Sequence, residues 1–128
     1  MIFELSQSFY FEAAHTLERE RGHESSNTVH GHTYLSEVTV AAHQNDLNGM
    51  VMDLSQLKQA VEAARAKLDH QFLNHVQGLG IPTLENLCLF IMYRVNEALA
   101  GRRHASVVSV SRTASGDRCA LRWSDRYG

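Results

Sequence analysis

Residues 30–43, HGHTYLSEVTVAAH, decide how this chain is organised. They are dense in Thr, Tyr and Val, residues that favour extended backbone. Residues 2–15, IFELSQSFYFEAAH, alternate in character with the period of two that is typical of a strand. The polar stretch at 16–29 separates the two segments. We therefore predict two strands that pair as a hairpin across a long connection.

The sequence after this hairpin predicts two helices. Asp53 is a candidate N-cap for a helix over about residues 53–68, in which apolar residues recur every three to four positions. Thr83 is a candidate N-cap for a second helix, whose apolar stripe runs as far as Leu99. Gly101 is expected to end that second helix.

Two further strands are predicted at 104–113 and 118–124, joined by a turn. The order ββααββ indicates an α+β domain in which two helices cover one face of a four-stranded antiparallel sheet. We expect one domain over residues 1–128, and exposed sheet edges that invite pairing between subunits.

The composition excludes several classes of protein. With 128 residues, 44% of them hydrophobic and 20% charged, the chain is neither disordered nor fibrous. It has no apolar run of about 18 residues, so no membrane span is expected. Its first residues lack the pattern of a secretion signal, and two cysteines do not make a disulfide framework, so a cytoplasmic location is expected.

The net charge of −2 argues against a general nucleic-acid binder. Six of the arginines nevertheless follow residue 100. They predict either a local basic face or an ordinary solvated strand surface.

Histidine is the residue in excess, with eight in the chain. His30 and His32 are two apart and so point the same way in a strand, while Gly31 between them allows close approach. His15 ends the first strand and would lie opposite this pair. Three imidazoles with an open fourth position are typical of a catalytic zinc site. The alternative is three unrelated polar residues at strand ends.

The adjacent residues Asp69 and His70 are a second candidate site. A carboxylate can orient an imidazole and stabilise its protonated form, as in a general acid–base pair. Alternatively, His70 only complements the dipole at the end of a helix.

Four ordered motifs make the chain resemble the family of 6-pyruvoyltetrahydropterin synthase and 6-carboxytetrahydropterin synthase. The resemblance covers nearly the whole chain. The motifs are Phe11-Glu12-Ala13-Ala14-His15, His30-Gly31-His32-Thr33-Tyr34, Leu68-Asp69-His70 with Leu73-Asn74, and Pro82-Thr83 with Glu85-Asn86-Leu87.

The resemblance implies the tunnelling fold, with barrels built from several subunits and a homohexamer of two trimers. It also implies a Zn²⁺ ion on the three histidines, and a pterin-type small-molecule substrate, 7,8-dihydroneopterin triphosphate, in pterin or queuosine biosynthesis. Asp69 and His70 would be the acid–base pair, contributed across a subunit boundary. Thr83 and Glu85 would contact the substrate.

Two positions depart from the family pattern. Ser26 stands where the family has its catalytic cysteine, and a hydroxyl, unlike a thiol, is not ionised without a base beside it. Arg112 stands in Val110-Ser111-Arg112-Thr113 where relatives have a glutamate that grips the pterin. Arginine has only donors and would favour a carboxylate or a phosphate.

Three hypotheses follow from these departures. The chain is a zinc-dependent lyase of the 6-carboxytetrahydropterin synthase type, a relative with an altered substrate, or a zinc-binding paralogue without turnover. Arg112 shares a strand face with valines, so it needs an acidic partner. That partner comes from this chain, from another subunit or from the ligand. An ion pair between subunits would use a residue such as Glu37, Glu85 or Asp117.

Overall fold

The computed structural model describes residues 1–16, 29–43 and 48–124. Its elements follow the predicted order, with one addition between the helices. In chain order they are β1 (Phe3–His15), β2 (His30–Ala42), α1 (Leu54–Leu68), β3 (Gln71–Phe72), a 3₁₀ turn (Leu73–His75), α2 (Leu84–Leu99), β4 (Ala105–Arg112) and β5 (Arg118–Arg122).

The strands form one sheet in the order β3-β1-β2-β4-β5. The pairs β1–β2, β2–β4 and β4–β5 are antiparallel, which confirms both predicted hairpins. The prediction of a four-stranded antiparallel sheet is wrong, because β3 adds a fifth strand that runs parallel to β1.

The extra strand escaped prediction because it is only two residues long and has no alternating pattern to detect. Its place is set by contacts with β1 instead. The backbone N–H of His70 donates to the carbonyl of Glu12 over 2.6 Å, immediately before β3 begins. A tertiary hydrogen bond of this kind leaves no mark on the local sequence.

The helices begin where their caps were predicted. The side chain of Asp53 accepts a hydrogen bond from the backbone N–H of Ser55, and that of Thr83 accepts one from Asn86. At the end of α2, Ala100 already takes the left-handed conformation, one residue before Gly101. Neither helix in the described part of the chain is long and apolar enough to cross a membrane.

Both helices pack against each other and against the sheet, with their apolar stripes buried. Alternate side chains of β1 and β2 pack against the helices in the core. The opposite face of the sheet carries polar pairs such as Ser8 with Glu37. The buried face of β1 runs through Phe9, Phe11 and Ala13 and ends at His15. The core therefore leads directly to the cluster of histidines.

Candidate metal and acid–base site

The pairing of β1 with β2 brings three histidines together. His15 lies opposite His30, and Ala13 lies opposite His32. The ring centroid of His15 is 4.9 Å from that of His32 and 6.5 Å from that of His30, while His30 and His32 are 6.3 Å apart. The structure thus assembles the three residues that the strand pattern had predicted to converge.

His15 is 3% exposed, and neither of its ring nitrogens has a hydrogen-bond partner among the described residues. Burial, together with the neighbouring His32, Arg112 and His30, lowers the pKa of His15 to about 4. Burial and the charges of Arg112 and His30 also lower the pKa of His32. Both imidazoles are therefore neutral at pH 7, which is the form that binds a metal ion.

The three histidines fit a zinc ion in residue type and in place, although no group of three ligands among the described residues is already arranged to hold a metal ion. Zn–N bonds of about 2.0–2.1 Å place tetrahedral imidazole centroids about 5 Å apart. The pair His15–His32 has this spacing, whereas His30 stands more than about 1 Å too far from both. His30 is the exposed member of the three, so its ring has room to turn.

Asn74 fixes the chain directly beside His15. Its side-chain oxygen accepts a hydrogen bond from the backbone N–H of Thr16 over 2.8 Å, and its side-chain NH₂ donates to the Thr16 carbonyl over 2.9 Å. These two hydrogen bonds to the backbone of one residue hold the end of β1 against the 3₁₀ turn. Asn74 is thereby a positioning residue for His15.

The Asp69 carboxylate is held by several donors. It accepts hydrogen bonds from the backbone N–H of Glu12 and from the Arg65 guanidinium, both over 2.9 Å. The hydrogen bond from Glu12, and then the charges of Arg65 and His70, lower the pKa of Asp69 although its desolvation opposes the shift. A fixed, ionised carboxylate suits the role of orienting a neighbouring imidazole.

His70 follows in an unusual conformation for a residue other than glycine, with a φ of 60°. Its Nε2 atom lies 3.5 Å from Oδ2 of Asp69, and its side chain is 76% exposed. The contact is an ion-pair distance rather than a short hydrogen bond. The imidazole is therefore accessible to a small molecule while its carboxylate partner stays fixed.

His70 and His32 line the same cleft, which has a volume of about 560 Å³. A methyl group added at Gly31 would meet no described atom within 4 Å, so the missing side chain leaves open space in this cleft. The cleft is lined by Glu12, Ala13, Ala14, Gly31, His32, Thr33, His70, Gln71 and Phe72. The volume falls within the range of small-molecule sites.

Arg112 lies beside this region on β4, directly opposite Tyr34 of β2. Its guanidinium is 3.7 Å from the carboxylate of Asp117, and the two side chains are 19% and 58% exposed. Asp117 was one of the expected ion-pair partners, but the pair forms within the chain rather than between subunits.

The other predicted site residues are not brought to the histidines. Thr83 caps α2, Glu85 lies in its first turn, and neither lines the cleft. Ser26 lies outside the described residues. No structural finding bears on the predicted role of Ser26.

Sequence reasoning gave no role to three residues that shape the site: Arg65, Asn74 and Tyr34. Asn74 was visible within the Leu73-Asn74 motif, and Tyr34 continues the alternation of His30 and His32. Arg65 is four residues before Asp69, a helical spacing that the sequence does show, whereas its hydrogen bond to the Tyr10 carbonyl left no local signal.

Comparison with known proteins identifies the family of the chain. The pattern of the family described as 6-pyruvoyl tetrahydropterin synthase matches residues 4–121. The chain belongs to the 6-pyruvoyl tetrahydropterin synthase family. The resemblance read from the four motifs is confirmed, and so, at the level of the family, is the prediction of a lyase of the tetrahydropterin synthase type.

Relatives within the family carry different names. The chain is 41% identical over 97 residues to an Archaeoglobus fulgidus protein provisionally named 6-carboxy-5,6,7,8-tetrahydropterin synthase; the match covers 76% of this chain and 77% of that one. It is 37% identical over 91 residues to the dihydroneopterin monophosphate aldolase of Pyrococcus furiosus, with 71% and 73% covered.

The fold of the family is also found here. The structure of 6-pyruvoyl tetrahydropterin synthase from Caenorhabditis elegans aligns with a TM-score of 0.81 at 21% identity, covering 97% of each chain. The α+β architecture predicted from the sequence is therefore that of the family, with β3 as the corrected detail.

The contacts of Asp69 predict how stability depends on pH. The folded pKa of Asp69 is below the ordinary value of about 3.9, so its ionised form stabilises the fold above that value. This stabilisation is lost as the pH falls through the folded pKa. Asp69→Asn should therefore be less stable than the wild type at pH 7, with a difference that shrinks below about pH 4.

Urea denaturation of the zinc-free proteins between pH 7 and pH 2.5 would measure this difference. Glu97→Gln is the control, because Glu97 is 74% exposed and makes only a long ion pair with Arg94. A difference between Asp69→Asn and the wild type that stays constant over the whole range would contradict the prediction.

Proposed function

We propose that this chain is a zinc-dependent lyase of the 6-carboxytetrahydropterin synthase type that acts on 7,8-dihydroneopterin triphosphate. The observation that carries the proposal is the buried His15, which has no hydrogen-bond partner within residues 1–16, 29–43 and 48–124 and lies opposite the His30–His32 pair. The cleft that His32 shares with His70 supports an acid–base role for His70 beside the histidine cluster. Family membership supports the reaction class.

His15, His30 and His32 would hold the zinc ion. When bound, zinc supplies a Lewis acid that polarises the side-chain oxygens of the substrate. The neutral state of His15 and His32 favours binding, since no proton has to be displaced. Asn74 holds the end of β1 in place and so limits the reorganisation of His15.

Asp69 and His70 would transfer the protons. The contact between Asp69 Oδ2 and His70 Nε2 favours a proton on Nε2, which leaves the lone pair on Nδ1 free to accept a proton from the substrate. The ionised Asp69 then stabilises the imidazolium that forms. The left-handed backbone at His70 presents its ring to the cleft rather than to the core.

The expected assembly is a cytoplasmic homohexamer of two trimers. The two edges of the described sheet, β3 with β1 on one side and β5 on the other, support pairing between subunits. In such an assembly Thr83 and Glu85, which stand at the start of α2, would reach the substrate of a neighbouring chain. This is a proposal that rests on the family resemblance.

A second candidate is an altered substrate and reaction within the family. It is supported by the similarity to a dihydroneopterin monophosphate aldolase at 37% identity, and by Arg112, which replaces an acceptor by a donor. A zinc-binding paralogue without turnover is the third alternative, because Ser26 lacks the reactivity of a thiol.

Incubation of the zinc-loaded protein with dihydroneopterin triphosphate, and in parallel with the monophosphate, distinguishes these functions. Mass spectrometry would identify a tetrahydropterin product from the triphosphate if the first proposal holds. Turnover of the monophosphate alone would favour an aldolase. If the zinc-loaded protein converts neither compound, the result would favour the third alternative, a zinc-binding paralogue without catalysis.

The histidine cluster predicts one zinc ion per chain. The double variant His30→Ala, His32→Ala should lose the metal but keep the fold, because the core does not depend on these exposed and half-exposed side chains. His104→Ala is the control, since His104 precedes β4 at the opposite end of the sheet. Metal analysis would show full loss in the double variant and none in the control. Full zinc occupancy in the double variant would refute the assigned site.

Because Ser26 replaces the cysteine of the family, we expect tetrahydropterin formation to be slow and a thiol at this position to accelerate it. Ser26→Cys should raise the rate of tetrahydropterin formation by part of the roughly 10²–10⁴-fold that general-base catalysis contributes. The measurement is the single-turnover rate at equal zinc content, with Ser25→Cys as the neighbouring control. An unchanged rate in Ser26→Cys would show that the missing thiol does not limit this protein.

A further inference from the structure

On one patch of the sheet, several buried polar atoms have no hydrogen-bond partner among the residues that the structure describes. They belong to neighbouring strands and to the face that meets the helices. The atoms are the two ring nitrogens of His15, the hydroxyls of Tyr34 and Ser36, and Nε of Arg112. Buried donors in native proteins almost always have partners, so a group of them indicates a bound species.

The proposed metal would take one ring nitrogen of His15, but it accounts for neither Tyr34 nor Arg112. They stand opposite each other in the register of β2 with β4. Ser36 comes next on the same face of β2. The Tyr34 hydroxyl is a phenol, so it carries a proton at neutral pH and can donate a hydrogen bond. Each of the three side chains can therefore donate a hydrogen bond.

The charge of Arg112 is incompletely neutralised. Its side chain is 19% exposed, while the carboxylate of Asp117 is 58% exposed and 3.7 Å away, beyond hydrogen-bonding distance. A buried guanidinium needs both an anion and hydrogen-bond acceptors. The exposed carboxylate of Asp117 is too distant to accept a hydrogen bond, and solvent weakens its charge interaction with Arg112.

Ring contacts define the position of the Tyr34 side chain. The ring of Tyr34 stacks on Phe11 with centroids 4.8 Å apart, and its edge meets His32 at 5.8 Å. A ligand held at His32 would therefore present its next atoms to the Tyr34 hydroxyl and to the guanidinium of Arg112.

We infer that Arg112 and Tyr34, with Ser36 behind them, form a subsite for an oxyanion of the substrate, adjoining the three histidines. The ligand group is a carboxylate or a phosphate, because both offer several acceptor oxygens to a guanidinium and a hydroxyl. The inference rests on the proposed function only for the identity of the whole substrate. Anion binding itself needs neither zinc nor turnover.

The test is calorimetric titration of the zinc-free protein with inorganic phosphate and, separately, with acetate at constant ionic strength. Saturable binding is expected for at least one anion, and the stronger of the two identifies the group. Arg112→Gln should weaken this binding by about 10- to 100-fold, the usual value of a hydrogen bond to a charged group. Tyr34→Phe should weaken it less, because it removes a neutral donor.

Arg122→Gln is the matched control, since Arg122 is an exposed arginine at the other end of the β4–β5 hairpin. It should bind the anion as the wild type does. Arg112→Lys keeps the charge and should keep part of the affinity, which separates loss of the subsite from loss of the fold. Circular dichroism confirms that each variant is folded.

Absence of saturable binding of either anion to the wild type, or equal binding by folded Arg112→Gln, overturns the subsite. The proposed lyase would survive that result if the zinc-loaded protein still converts dihydroneopterin triphosphate. Conversely, anion binding through Arg112 without turnover of dihydroneopterin triphosphate would support the subsite and contradict the proposed function.

Discussion

The register of β1 against β2 is the constraint on which the rest of the site depends. Thirteen residues of each strand pair without a bulge, from Phe3 opposite Ala42 to His15 opposite His30. A slip of one residue would turn every side chain of one strand to the other face. The apolar side chains of β1 would then leave the core, and His15 would leave the cluster. The burial of Phe9 and Phe11 therefore fixes the position of the histidines.

This coupling explains why so much of the site could be predicted from the sequence. The period of two that buries Phe9 and Phe11 also carries His15 to the same face. The same period places His30 and His32 side by side. The helices were visible for a similar reason, because Asp53 and Thr83 cap them through local hydrogen bonds.

What the sequence did not reveal depends on contacts between distant segments. Strand β3 lies beside β1 because the N–H of His70 donates to the carbonyl of Glu12 and the side chain of Asp69 accepts from the N–H of Glu12. Asn74 holds Thr16 from 58 residues away. A side chain that serves one distant peptide has no periodicity, so its role becomes visible only when the fold is known. The ion pair between Arg112 and Asp117 is different, since a tight hairpin turn joins the two residues and Asp117 was already a candidate partner from the sequence.

Relatives with the same fold carry the names of different enzymes. The structure suggests how a change of ligand could occur without a change of fold. The three histidines belong to the β1–β2 hairpin, whereas Arg112 belongs to β4. A change at Arg112 can therefore alter what binds without moving the histidines. Its positive charge also lowers the pKa of His15 and His32, which keeps them ready for a metal ion. A divalent cation in the cluster would then repel the guanidinium beside it, and an anionic group of a ligand between the two would remove that repulsion.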